Sequence, residues 1–111
     1  MPEVIVVLVK NGSQFSTAVV PWKVAVPDGQ QTITWVAAGP GSRFPASNYF
    51  TWKTEPPPLD GRLPERSSDG QRLTLSYDNG FVGSWIYGVT IENDETTIAI
   101  DPEIDNGPPR Q

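Results

Sequence analysis

Histidine and cysteine are both absent from this 111-residue chain, and the two absences close most routes to chemistry. Without cysteine there is no disulfide, no thiolate metal site and no thiol nucleophile. Without histidine there is no Ser-His-Asp or Cys-His arrangement and no conventional structural zinc site. None of the lysines (Lys10, Lys23, Lys53) completes a Ser-x-x-Lys pattern, so lysine-activated serine chemistry has no local signature either. No glycine-rich phosphate loop is present, because Gly39-Pro40-Gly41 lacks the following Gly or Lys and the strand-to-helix setting. The expectation is a protein that is not an enzyme and carries no cofactor.

Long apolar runs are also lacking. Val4 to Val9 lies between Glu3 and Lys10, far short of the roughly 20 apolar residues that span a bilayer. No basic start, extended apolar region and small-residue cleavage site mark a secretory leader. A cytoplasmic location is the default expectation, and a mature secreted domain is equally compatible with the sequence. Neither a membrane nor a nucleic acid is expected as a partner. The formal net charge is -5, and from Asp78 to Asp105 there are carboxylates at 78, 92, 94, 95, 101, 103 and 105 with no cation between them. Such a segment repels a phosphate backbone, and its plainest reading is a solvated acidic edge.

What the chain does have is period-two alternation, with no helical period anywhere. Val4 to Lys10 reads as a first strand, closed by a turn at Asn11-Gly12. Pro21 follows Ala18 to Val20 and has no N–H to give a ladder, so it marks an edge or a bend between sheets. Trp22, Val24 and Val26 alternate next, and Pro27-Asp28-Gly29 is a turn. Ile33, Trp35 and Ala37 continue the pattern, as do Asn48 to Lys53 and then Leu73, Leu75 and Tyr77. A hairpin is expected from Trp85, Tyr87, Val89 and Ile91 through Glu92-Asn93-Asp94-Glu95 to Ile98 and Ile100, with turn and tail from Asp101 onward. The expected fold is all-β: a single two-sheet Greek-key sandwich of about seven strands over residues 1–105, with a tail at 106–111. With 4 Trp, 3 Tyr and 4 Phe, large rings can fill the space between its sheets.

The stretch Val24-Ala-Val-Pro-Asp-Gly-Gln-Gln-Thr-Ile-Thr-Trp35, together with the Tyr-bearing strand Trp85 to Ile91, resembles the cupredoxin pattern, and immunoglobulin-like sandwiches use similar grammar. The resemblance covers about a quarter of the chain. It implies a copper-binding fold, but a blue-copper site takes two His, one Cys and an axial ligand that is usually Met. Met1 is the only one of these residue types present. The resemblance therefore implies a copper-free accessory or partner-binding module.

Three binding features remain. Glu55 to Gly70, with Pro56-Pro57-Pro58 and Pro64, is a long irregular segment, and the triple proline favours a stiff extended strap. Tyr49 and Trp52 flank it, and one of them is expected to be exposed. Asp101, Glu103 and Asp105 echo the first half of a calcium loop, without its glycine or closing glutamate. The reading that follows is recognition of a protein partner through a strand edge or the strap, with Tyr49, Trp52, Pro57 and Arg62 as candidate binding residues. The alternatives are a carbohydrate-binding accessory domain that uses the exposed rings, assisted by calcium near Asp101, and a small structural protein that assembles into a homo-oligomer.

Overall fold

In the first strand, alternate residues must face opposite sides of a sheet, and Val4, Val6 and Leu8 are buried while Glu3 and Val9 are exposed. The same rule organises the whole computed structural model, which describes residues 2–27 and 29–106. One sheet runs in the order β2 (Gln14–Val20), β1 (Glu3–Asn11), β4 (Gly29–Ala38), β7 (Arg72–Asn79), β6 (Glu65–Arg66). The other runs β3 (Lys23–Val26), β10 (Glu103–Asn106), β8 (Gly83–Glu92), β5 (Phe50–Trp52), and β9 (Thr97–Ile100) pairs the distal half of β8. The two sheets pack as a sandwich. Pairing is antiparallel except for β1 with β4 and β3 with β10.

Local chemistry explains the joints. Gly12, at φ 68°, opens a two-residue turn with Ser13, and Asn11 pairs with Gln14 to close the β1–β2 hairpin; glycine is the residue that fits the first position of such a turn. Pro21 lies between β2 in one sheet and β3 in the other, the bend its missing N–H foretold. At the β8–β9 turn, the Asn93 side-chain oxygen accepts from the N–H groups of Glu95 (2.8 Å) and Thr96 (2.9 Å), a local cap characteristic of Asn.

Three expectations need correction. There are ten strands rather than about seven, and β6, inside the strap, and β10 are two that alternation does not reveal. Residues 103–106 were expected to be tail and instead form a strand inserted between β3 and β8. Its alternation is disguised, because the buried positions are Ile104 and the polar Asn106 while Glu103 and Asp105 face outward. The expected boundary at residue 105 falls within β10, and 107–111 lie outside the described residues. Trp22 does not share the buried face of Val24 and Val26 but is 52% exposed. It sits in the bend before β3, where strand parity does not apply.

The core joins the sheets through polar as well as apolar contacts. Trp35 on β4 donates its indole N–H to the Tyr87 hydroxyl on β8 at 2.8 Å, and both side chains are completely buried. Tyr77 on β7 donates to the Asn106 carboxamide oxygen on β10 at 2.7 Å. Asn79 on β7 donates to the carbonyls of Val26 (3.0 Å) and Pro27 (2.9 Å). Each of these three hydrogen-bonded contacts spans the two sheets, and buried hydrogen bonds fix register where apolar packing alone tolerates sliding.

Two outcomes follow. Replacing Tyr87 with Phe orphans the Trp35 N–H in a dry core, and urea unfolding should show a loss of about 1–3 kcal/mol. Burial pushes the Tyr77 and Tyr87 hydroxyls above their ordinary value of 10.0. The unfolded chain then releases these protons at lower pH than the folded one, so stability is intact below pH 10 and declines as pH rises beyond it. Chemical denaturation across pH 8 to 11 reads this directly; a flat profile would contradict the assignment.

Candidate functional site

The strap from residue 55 to residue 70 is held down by side chains of the strands beneath it. Tyr49, just ahead of β5, donates its hydroxyl to the Pro64 carbonyl at 2.7 Å. Trp52, the last residue of β5, donates its indole N–H to the Arg62 carbonyl at 2.9 Å. Arg62 in turn donates its guanidinium to the Ser76 carbonyl on β7. Further along, Arg66 donates to the Phe44 carbonyl at 2.9 Å. Asp69 accepts from Ser67 (2.7 Å) and from the Gln71 N–H (2.9 Å), and these hydrogen bonds hold its carboxyl below the usual carboxylate value. Gly70 lies at φ 74°, and a Cβ there would come within 2.9 Å of the Phe44 carbonyl, so the close approach requires glycine.

The first half of the strap, from Thr54 to Leu59, forms one wall of a groove of about 400 Å³; the other wall is Phe81, Ser84 and Trp85. Phe81 is 48% exposed and stacks on Trp85 with ring centroids 5.4 Å apart. Pro56, Pro57 and Pro58 face this ring pair. Leu59 lines the same groove, and both it and Asp60 hold left-handed backbone at φ 56°. Two successive non-glycine residues in that region are uncommon and carry strain of about 1–3 kcal/mol each, a kind of outlier that collects at ligand clamps.

Trp85 links the groove to the core. It meets Trp52 edge-on at 5.7 Å and Tyr77 at 5.4 Å. Trp52 meets Phe50 at 5.0 Å, and Phe50 stacks on Tyr87 at 5.0 Å. A continuous run of rings thus leads from Tyr87, bonded to Trp35, out to the half-exposed Phe81. Such edge-to-face and offset pairs add about 0.5–1.5 kcal/mol each beyond their burial.

The four candidate residues named from sequence do come together at the strap, in two roles. Pro57 lines the groove. Tyr49 and Trp52 are half-buried and buried, respectively, with their polar atoms spent on strap carbonyls, so neither ring is presented free to solvent. Arg62 lines a second cavity of about 270 Å³ with Leu63, Glu65, Thr74, Leu75 and Ser76. Sequence reasoning missed Phe81, because only its place beside Val82 in a turn, outside any alternating pattern, distinguished it from a core ring.

Glu103 and Asp105 face outward from β10, between β3 and β8, and Asp101 precedes that strand. Glu103 pairs with Lys23 at 3.3 Å, and a hydrogen bond from Ser84, with help from Lys23, holds its carboxyl below the usual value. Among the described residues no group of three or more His, Cys, Asp or Glu is placed to hold a metal ion, and no helix is long and apolar enough to cross a membrane. No protein-family model matches the chain, and a search of curated proteins finds no match.

If the strap hangs on its hydrogen bonds, the double variant Tyr49→Phe, Trp52→Phe should be cut by trypsin after Arg62 about thirtyfold faster than the parent, since each of the two lost bonds is worth about 1 kcal/mol. Cleavage at an unchanged rate would show that packing alone holds the strap.

Proposed function

We propose that the chain is a non-catalytic recognition module, a copper-free sandwich of the cupredoxin-like or immunoglobulin-like kind, which binds an extended proline-bearing segment of a partner protein in the groove between the strap and the Phe81–Trp85 pair. The family reading is supported by Trp35 on an inner strand and by the parallel pairing of β1 with β4. The observation that carries the binding reading is a half-exposed aromatic stacked on a buried one, opposite a wall of three prolines.

Grooves of aromatic rings suit polyproline helices, which arrive already ordered and expose flat pyrrolidine faces. The Phe81–Trp85 pair is held in place by the core rings behind it, and such preorganisation of the receiving side lowers the entropic cost of binding. Glu55 lines the same groove without an ion pair among the described residues, which favours a basic residue in the ligand and disfavours an acidic one. Carbohydrate stays as the second reading, because a sugar ring can stack on Phe81 as a proline does.

Tryptophan fluorescence tests both, since Trp85 forms part of the groove wall. A short Arg-containing polyproline peptide should give a saturable change, and Phe81→Ala should weaken it about tenfold or more, the cost of deleting a central aromatic. The same peptide with Asp replacing Arg should bind more weakly. A saturable response to soluble polysaccharides alone, lost in Phe81→Ala, would replace the peptide reading with the sugar reading, and no response to either would remove the groove as a binding site.

A further inference from the structure

The sheet edges of this fold are not treated alike. β6 is only two residues long, and the β7 edge beyond it is covered where Arg62 reaches the Ser76 carbonyl. β3 has four residues, lies between Pro21 and Pro27 and carries Lys23. β5 has three residues and leads into the strap. β9 has four and ends at Asp101-Pro102. Short length, proline, charge and cover are the usual means of preventing edge-to-edge pairing.

β2 has none of them within its span, and Pro21 follows only after its last residue. Its seven residues, Gln-Phe-Ser-Thr-Ala-Val-Val, include no charge and no proline, and they pair with β1 in unbroken register from Gln14 with Asn11 to Val20 with Ile5, with no bulge. Among the described residues only β1 pairs with it. Hydrogen-bonded and non-hydrogen-bonded pairs alternate along an antiparallel ladder. Because Gln14 and Asn11 close the hairpin, the residues that turn N–H and C=O to the open side are Phe15, Thr17 and Val19. The side chains on the outer face, Ser16, Ala18 and Val20, are small and exposed, with Val20 58% exposed.

We infer that this edge pairs with the same edge of a second copy of the chain, β2 antiparallel to β2 about a two-fold axis at Thr17, which joins two five-stranded sheets into one. A two-fold axis perpendicular to a sheet makes identical strands antiparallel, so the contact is self-complementary by construction. Phe15 of one copy then exchanges backbone bonds with Val19 of the other, and Thr17 with Thr17. On the outer face Ala18 lies opposite Ser16, and the exposed Val20 is covered by the aliphatic stem of Gln14. The self-complementary register selects the occupant, and charge permits it. Copies of net charge -5 repel wherever acidic surface meets acidic surface, and this uncharged strand lets the two chains approach without bringing like charges together. The site is independent of the groove, which is lined from the strap and the β7–β8 turn.

Sedimentation velocity of the whole chain over a wide concentration range should show a dimer of twice 12.1 kDa. Ala18→Lys puts a charge on an already exposed edge position, and Thr17→Pro removes an N–H that β1 does not use. Each should weaken the dimer about tenfold or more, with far-UV circular dichroism unchanged in Ala18→Lys, while Phe81→Ala should leave the dimer intact. A wild-type chain that stays monomeric at the highest concentration, or a dimer that survives Ala18→Lys, overturns the proposal. If Thr17→Pro fails to fold, Ala18→Lys alone decides.

Discussion

The hydrogen bond from Trp35 to Tyr87 fixes the relation between the two sheets, and most of the remaining structure depends on it. Both groups are wholly buried, so each must find its partner across the interface or lose the full desolvation cost of an unpaired polar atom. A strand that slipped by one residue within its sheet would turn its own ring outward and leave the other ring without a partner. Once Tyr87 is placed, Phe50 stacks on it, Trp52 meets Phe50, and Trp52 sets Trp85. The position of the groove is therefore a consequence of core packing. Its outermost ring, Phe81, rests on a residue that the core has already immobilised.

The acidic run in the C-terminal third looks different once folded. Glu92 and Asp94 both pair with Arg43, at 3.0 and 3.2 Å, and Glu95 pairs with Lys10 at 3.3 Å. The β8–β9 turn is thus tied to the loop after β4 and to the end of β1, and the Arg43–Glu92 backbone bridge reinforces the first of these ties. Half-exposed pairs of this type contribute about 0–1 kcal/mol each, so they steer the loops more than they stabilise the domain. Glu92 and Asp94 are drawn to Arg43 and Glu95 to Lys10, so these carboxylates turn to basic side chains rather than converging on one point.

Much of the architecture was legible because strands announce themselves by alternation. Ile33, Trp35 and Ala37 all point inward on β4, and the Trp85-to-Ile91 strand returns through Asn93 to Ile98 and Ile100 as its pattern required. The misses have one cause. β10 buries Asn106 instead of an apolar residue, and β6 is too short to show a period, so pattern reading passed over both. Trp22 erred in the opposite direction: its spacing from Val24 and Val26 is right for a core position, but the bend at Pro21 breaks parity one residue later. The strap was recognisable from its prolines as a stiff segment, whereas its docking was not, because Tyr49, Trp52 and Arg62 act through backbone carbonyls that every sequence possesses. The family likeness rests on strand grammar shared by unrelated sandwiches, and the fold class is as far as such grammar reaches.

Trp85 is where fold and proposed function meet. It belongs to the core through Trp52 and Tyr77 and to the groove through Phe81. A ligand that presses on Phe81 therefore pushes against a stack that ends at the Trp35–Tyr87 bond, and cannot displace it without disturbing the sheet interface. Such a wall is rigid, while the opposing wall, Pro56 to Leu59, hangs on side-chain hydrogen bonds further along the strap and ends in the strained Leu59–Asp60 pair. Local openings draw on the least stabilised segments, so adjustment to a ligand belongs on the strap side. If the groove is the binding site proposed above, this asymmetry of one fixed aromatic face and one adjustable proline face would select for shape and stacking rather than for reactive groups.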